Sequence, residues 1–182
     1  MAQNGNGRDS FAEEILRVIP SLTAFAISLS GNPDRANDLV QDTLMRALSH
    51  RDSFTPGTNM AAWLFTILRN TFHSEYRKRR REVEDVDGLF AARLAVEPDQ
   101  SAGLEFADLK RALSKLPPDQ RELILLVGAS GFSYEEAAGI CKCPVGTVKS
   151  RVNRARTRLA QLLGIETIDD LGPEPLCRPV TH

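Results

Sequence analysis

Apolar residues recur at spacings of three and four along most of this chain, and no stretch alternates with a period of two. The pattern predicts an all-α protein. A first helix is expected over 11–29, with Ile15, Leu16, Ile19, Leu22, Phe25 and Ala26 on its buried face. Pro20 either kinks it or divides it in two. Asn32-Pro33 reads as an N-cap followed by proline at the first helical position. The second helix carries Ala36, Val40, Thr43, Leu44 and Ala47 inward, and ends before a loop over 49–58 that contains Pro56-Gly57. A third helix starts at Thr58 or Asn59 and runs to about Arg80. Ala62, Phe65, Leu68, the aliphatic stem of Arg69 and Phe72 form its buried face. Helical periodicity returns over 104–115, breaks at Leu116-Pro117-Pro118, and resumes to about Ala129.

The segment after Ala129 has the clearest local grammar. Ser133-Tyr134-Glu135-Glu136 fits a capping box, and Ala137, Ala138 and Ile140 follow on a short helix. Cys141-Lys142-Cys143 makes a tight turn, and Pro144 suits the first position of another helix. Two short helices joined by such a turn make a helix-turn-helix, whose second member is the recognition helix. Val145, Val148, Val152, Ala155, Leu159 and Leu162 form its buried stripe. Thr147, Lys149, Ser150, Arg151, Asn153, Arg154 and Arg156 lie away from that stripe.

Charge changes the picture through its placement. The 182 residues carry 23 Lys+Arg against 24 Asp+Glu, but the signs are segregated. Arg77-Lys78-Arg79-Arg80-Arg81 is one basic block, and 142–158 is purely basic. Between them, 82–103 is an acidic linker, and the tail 164–182, with three prolines, is expected to be mobile. Two basic islands on either side of an acidic bridge suggest two contacts with one polyanion. A solvated basic face normally mixes signs, whereas the recognition helix has no acid. Arg and Lys can read guanine edges, Asn can read adenine, and neighbouring Arg can hold phosphates. Gly146 lets the positive end of that helix come close to a phosphate. Duplex DNA in the major groove is the expected ligand.

Other chemistry finds little footing. The sequence has no glycine-rich phosphate loop and no nucleophile constellation, so no enzyme is expected. Cys141 and Cys143 lack ligand partners at motif spacing, with His73 and His182 distant in sequence, so neither a metal nor another cofactor is expected. Three cysteines point to a reducing compartment, and no apolar run reaches membrane-spanning length. The expectation is a soluble, cytoplasmic protein with no membrane association and no small-molecule substrate.

The first 80 residues gain meaning from a resemblance. Asp38-Leu39-Val40-Gln41-Asp42-Thr43, Trp63-Leu64, Arg69-Asn70 and the 77–81 block resemble the first domain of extracytoplasmic-function (ECF) sigma factors. Leu116-Pro117, Gly131-Phe132-Ser133-Tyr134-Glu135-Glu136-Ala137-Ala138 and Pro144-Val145-Gly146-Thr147-Val148-Lys149-Ser150-Arg151 resemble the second. The likeness covers about 10–163 in the right order. Asn70-Thr71-Phe72, Ser74-Glu75-Tyr76 and the acidic linker further resemble the alphaproteobacterial general-stress, EcfG-type subgroup.

The resemblance implies two small helical domains, sigma region 2 at 10–81 and sigma region 4 at 104–163. It implies a subunit that binds core RNA polymerase, directs it to promoter DNA and opens the duplex, while the polymerase does the chemistry. Docking onto the polymerase falls to Asp38, Leu39, Gln41 and Asp42, an acidic and apolar patch suited to a basic helical partner. On charge alone, Asp38 and Asp42 read equally as solubilising groups. The loop 49–59 is implied to catch a base flipped from the −10 element, with Phe54, Thr58 and Asn59 as candidates. Asn70 matches a −10 contact, and Arg77, Lys78 and Arg80 are placed to hold phosphates. Trp63 is assigned to the core. The −35 element is read by Thr147, Lys149, Ser150, Arg151, Asn153, Arg154 and Arg156. The linker either tethers the two domains through solvent or threads toward the polymerase cleft as a mimic of nucleic acid. An anti-sigma factor is implied as a further partner, for this subgroup a small soluble helical protein released by a phosphorylated response-regulator decoy. Two other classes compete: a stand-alone helix-turn-helix regulator, which leaves the first 80 residues unexplained, and a sigma-like decoy for an anti-sigma factor, for which this chain has no receiver domain.

Overall fold

A computed structural model describes residues 6–84 and 104–165, with the side chains of 6–9, 80, 82–84 and 104–106 excluded. The expected linker beyond Glu84 and the expected tail beyond Ile165 lie outside the described residues. All regular structure among the described residues is helical, and the chain divides into two compact units.

The first unit holds α1 (Asn6–Ser30), α2 (Pro33–Ser49), a 3-10 turn (Arg51–Ser53) and α3 (Met60–Glu84). The three long helices pack pairwise against one another. The start of α2 follows the expected chemistry: the Asn32 side chain accepts from the Arg35 N–H at 3.0 Å, with Pro33 directly after it. Helix α1 is not divided at Pro20, which lies inside it on an exposed face. Its inward stripe is Phe11, Ile15, Leu22, Phe25, Ala26 and Leu29. Leu16, expected inward, is 64% exposed, because it stands about 100° round the helix from Ile15. Helix α3 begins at Met60, where the Asn59 side chain accepts from the Ala62 N–H at 3.1 Å. It continues to Glu84, taking up the first residues of the expected linker. Leu64, Phe65, Leu68 and Thr71 form its buried face, while Ala62 and Phe72 are half-buried. The Phe25 and Phe65 rings meet at 5.0 Å in the middle of this core.

The second unit is built around its last helix. It comprises α4 (Leu104–Ser114), α5 (Pro118–Ile124), α6 (Tyr134–Cys141) and α7 (Val145–Leu163), and α4, α5 and α6 each pack on α7. Helix α5 was expected to reach Ala129 as one α-helix. The five residues after it, Leu125–Ala129, instead widen into a π-helical turn. The Ser130 N–H donates to the Leu125 carbonyl at 2.9 Å, one residue further back than in an α-helix. Ala112 and Leu116 pack with Ala155 and Leu159, joined at the edge by Leu113, Ile124 and Leu162.

Candidate functional site

The first unit presents two surfaces. On α2, the buried stripe is Ala36, Leu39, Val40, Thr43 and Ala47. Asp38 and Gln41 are exposed on the other side, and Asp42 is half-buried. Leu39 had been placed with them on the docking patch. It is 3% exposed, because spacings of three and four from Ala36 carry it into the bundle, so it supports the patch from behind. The Arg46 Nε donates to the Asp42 carboxylate at 2.9 Å, one turn further along α2. Met45 and Leu48 continue the outward stripe from Asp38 and Gln41 and are 68% and 60% exposed.

On α3, Trp63, Ile67, Asn70, Ser74 and Arg77 succeed one another at spacings of four and three, so they share one face. With Lys78 they line an open groove of about 980 Å³, whose other wall includes Arg46, His50 and Ser53. The groove therefore unites three expected −10 residues, Asn70, Arg77 and Lys78. Arg80 follows them on α3, and its side chain is outside the described set. Arg46, His50 and His73 also face this groove and were missed by sequence reasoning. The spacing of Arg46 and His50, one turn apart at the end of α2, was the available signal. The His50 Nδ1 lies 3.0 Å from the Arg46 carbonyl oxygen, which suits a proton on Nδ1 and turns Nε2 away from the helix end.

The expected base-catching loop is more ordered by its own packing than its composition suggests. The Phe54 ring lies 5.8 Å from Phe11 and 5.2 Å from Trp63, a cluster closed by the Phe11–Trp63 pair at 6.2 Å. Phe54 thus anchors the loop to α1 and α3. The Arg51 guanidinium stands 4.8 Å over Phe11 at the same cluster. Trp63, assigned to the core, is half-buried and belongs to both the cluster and the groove wall. Thr58 and Asn59 are exposed, outside the groove lining; the Thr58 hydroxyl donates to the Thr55 carbonyl, and Asn59 caps α3.

One further cation joins α2 to α3. The Arg35 guanidinium lies 5.6 Å over Phe72, with Nε and Nη2 buried and without a hydrogen-bond partner. Burial lowers its pKa, Arg79 lowers it further, and Glu75 opposes both.

In the second unit the helix-turn-helix forms as its sequence predicts. The Ser133 Oγ accepts from the Glu136 N–H at 3.1 Å, and the Glu136 carboxylate accepts from the Ser133 N–H at 2.9 Å. Lys142 ends α6 in the left-handed region, at φ 52°. Pro144 sits one position earlier than expected, as the cap of α7, because its extended ψ of 144° keeps it outside the helix. Its carbonyl accepts from the Thr147 and Val148 N–H groups. Val148, Val152, Ala155 and Leu159 are buried, and Val145 and Leu162 are half-buried.

The expected reading residues separate into a centre and two flanks. Ser150, Asn153 and Arg154 are exposed opposite the buried stripe. Lys149 and Arg156 lie on one flank, and the Lys149 Nζ stands 5.9 Å over the Tyr134 ring of α6. Thr147 and Arg151 lie on the other, where the Arg151 Nε meets the Asp119 carboxylate of α5 at 3.1 Å. Gly146 is exposed, and a Cβ built on it meets nothing within 4 Å. Behind this face, Arg121 of α5 is buried, with burial lowering its pKa and Glu122 opposing. Among the described residues, no three or more His, Cys, Asp or Glu cluster as metal ligands, and no helix is long and apolar enough to cross a membrane.

The two units coincide with two family models. Residues 15–82 match sigma-70 region 2, and residues 106–159 match sigma-70 region 4. The ECF RNA polymerase sigma factor EcfG of Rhodopseudomonas palustris (strain TIE-1) is 63% identical over 172 residues, 94% of this chain and 95% of that protein. Among solved structures, the sigma factor RpoE in complex with the anti-sigma factor NepR from Bartonella quintana aligns with a TM-score of 0.79 and 57% identity, covering 87% of this chain and 99% of that one. CnrH in complex with the cytosolic domain of CnrY aligns with a TM-score of 0.65 and 32% identity, covering 90% and 92%. This chain belongs to the ECF sigma factors of the sigma-70 family, non-enzymatic subunits that direct RNA polymerase in transcription initiation.

Proposed function

We propose that this sigma factor divides promoter recognition between its two units and acts in the cytoplasm in a general stress response. The exposed face of α2, with Asp38, Gln41 and Asp42, docks onto a basic helical surface of core polymerase. The groove along α3 receives the unpaired −10 strand. Arg77, Lys78 and Arg80 hold its phosphates, and Asn70 contacts a base near the loop that holds Phe54, Thr58 and Asn59. The outer face of α7 reads the −35 duplex through Thr147, Lys149, Ser150, Arg151, Asn153, Arg154 and Arg156. The observation that carries this reading is the groove: Asn70, Arg77 and Lys78 share one wall with Trp63, and Arg46 adds a further cation beside His50 from the end of α2. A polar, cationic trench with an aromatic side chain in its wall suits single-stranded nucleic acid.

A soluble helical anti-sigma factor holds the protein inactive. Two observations support this. The 57% identical RpoE was solved with the anti-sigma factor NepR. Met45 and Leu48 leave apolar area exposed beside the docking carboxylates, which a helical partner would cover. The 63% likeness to EcfG supports the general-stress role.

Run-off transcription with purified core polymerase and a pool of stress-type promoters tests the reading. Transcripts that need this protein and start at fixed sites are expected. Tight duplex binding without transcripts would reject the docking and −10 assignments and return the reading to a stand-alone regulator.

A further inference from the structure

We propose that Asp119 is a positioning residue for sequence discrimination: it holds Arg151 on the recognition helix and keeps that cation from acting as a phosphate clamp. The inference rests on the reading of α7 as the −35 reader. Helix α7 has no acidic residue of its own, so a carboxylate at its flank must come from another element. It comes from the first turn of α5, at 3.1 Å from the Arg151 Nε. The two side chains are 49% and 38% exposed, so the pair stands at the rim of the basic face rather than in the core. The opposite flank is held differently, since the Lys149 Nζ lies over the Tyr134 ring rather than against a carboxylate.

The physical consequence is a division of labour. Attraction to phosphates is independent of sequence and grows with each cation that displaces a counterion. A guanidinium that already faces a carboxylate adds little to that term. It still has N–H donors beyond Nε for a base edge, and the bridge restricts its rotamers before binding. Asp119 therefore lowers affinity for arbitrary duplexes more than for the cognate one. A plain alternative is that Asp119 only favours the N-terminus of α5 through the helix dipole.

The test uses the full chain and a short labelled duplex selected by it from random-sequence DNA, beside a scrambled duplex, across a salt series. For Asp119→Asn, tighter binding to the scrambled duplex is expected, with the specificity ratio falling roughly two- to five-fold. The slope of log K against log salt on that duplex should steepen by about 0.9, one phosphate. Asp119→Glu should restore both quantities. In an Arg151→Ala background, Asp119→Asn should change neither. An unchanged slope overturns the proposal, and so does equal steepening without Arg151, which would mean simple repulsion of DNA by the carboxylate. Should Asp119→Asn unfold the unit, Arg151→Ala alone decides: a slope shallower by about 0.9 on the scrambled duplex would show Arg151 already on a phosphate and overturn the proposal. A chain that selects no sequence would instead remove the reading of α7, and the proposal with it.

Discussion

Gly146 shows how a single residue can be costly to the fold and still make sense. Glycine inside a helix gives up about 0.5–1 kcal/mol relative to alanine, an upper bound for the first turn. Nothing in the unit demands it, since an added Cβ meets open space. Gly146→Ala should therefore raise the stability of the second unit by up to that amount, read by chemical denaturation, yet weaken duplex binding by bringing a methyl group against the DNA backbone. Unweakened binding would detach this helix end from the phosphates. On the same face, Lys149→Ala at one flank and Arg154→Ala at the centre should each reduce −35 discrimination by about 1–3 kcal/mol if each makes a good base contact. Competition binding with single-base-substituted duplexes measures this. A uniform loss across all sequences would assign the residue to phosphates.

At the scale of elements, α1 accepts a proline that ordinary helix physics disfavours. Proline inside a helix removes one N–H and presses on the carbonyl four residues back, a cost of about 3 kcal/mol. Pro20 lies on the exposed face, where water can satisfy that carbonyl, so the helix continues through it. Part of the cost is offset in the unfolded chain, which proline stiffens by about 0.4–1 kcal/mol. Pro20→Ala should stabilise the first unit by about 2 kcal/mol. The single tryptophan, Trp63, sits in that unit and reports its unfolding by fluorescence in urea, separately from the second unit. An unchanged midpoint would mean that α1 is already relaxed around the proline.

For the whole molecule, the decisive question is whether the α2 face carries the polymerase. Asp38→Arg with Asp42→Arg should abolish co-purification with core enzyme and leave the helical circular-dichroism signal intact. The fold should survive because the Asp42–Arg46 pair is partly exposed and one turn apart on one helix, a geometry contributing about 0.3–0.5 kcal/mol. Retained co-purification would move docking elsewhere, and a lost helical signal would make Asp38 and Asp42 structural. The Arg46 of that pair also lines the α3 groove, so the double variant should be assayed for polymerase binding without DNA.

Local chemistry was legible in the sequence by itself. The capping box at Ser133, the Asn32-Pro33 start, the tight turn at Cys141-Lys142-Cys143 and the α7 stripe all depend on residues within a few positions of one another. The resemblance drew on the same local runs. The choice between overlapping stripes was decided only in the tertiary structure. Leu16 was expected inward and Leu39 on the outer docking patch, and packing exposed the first and buried the second. Spacing along one helix also left open what faces it across a gap. The groove needed α3 set beside the end of α2, and the bridge to Arg151 needed α5 laid against α7, because contacts between distant segments exist only once the helices have packed.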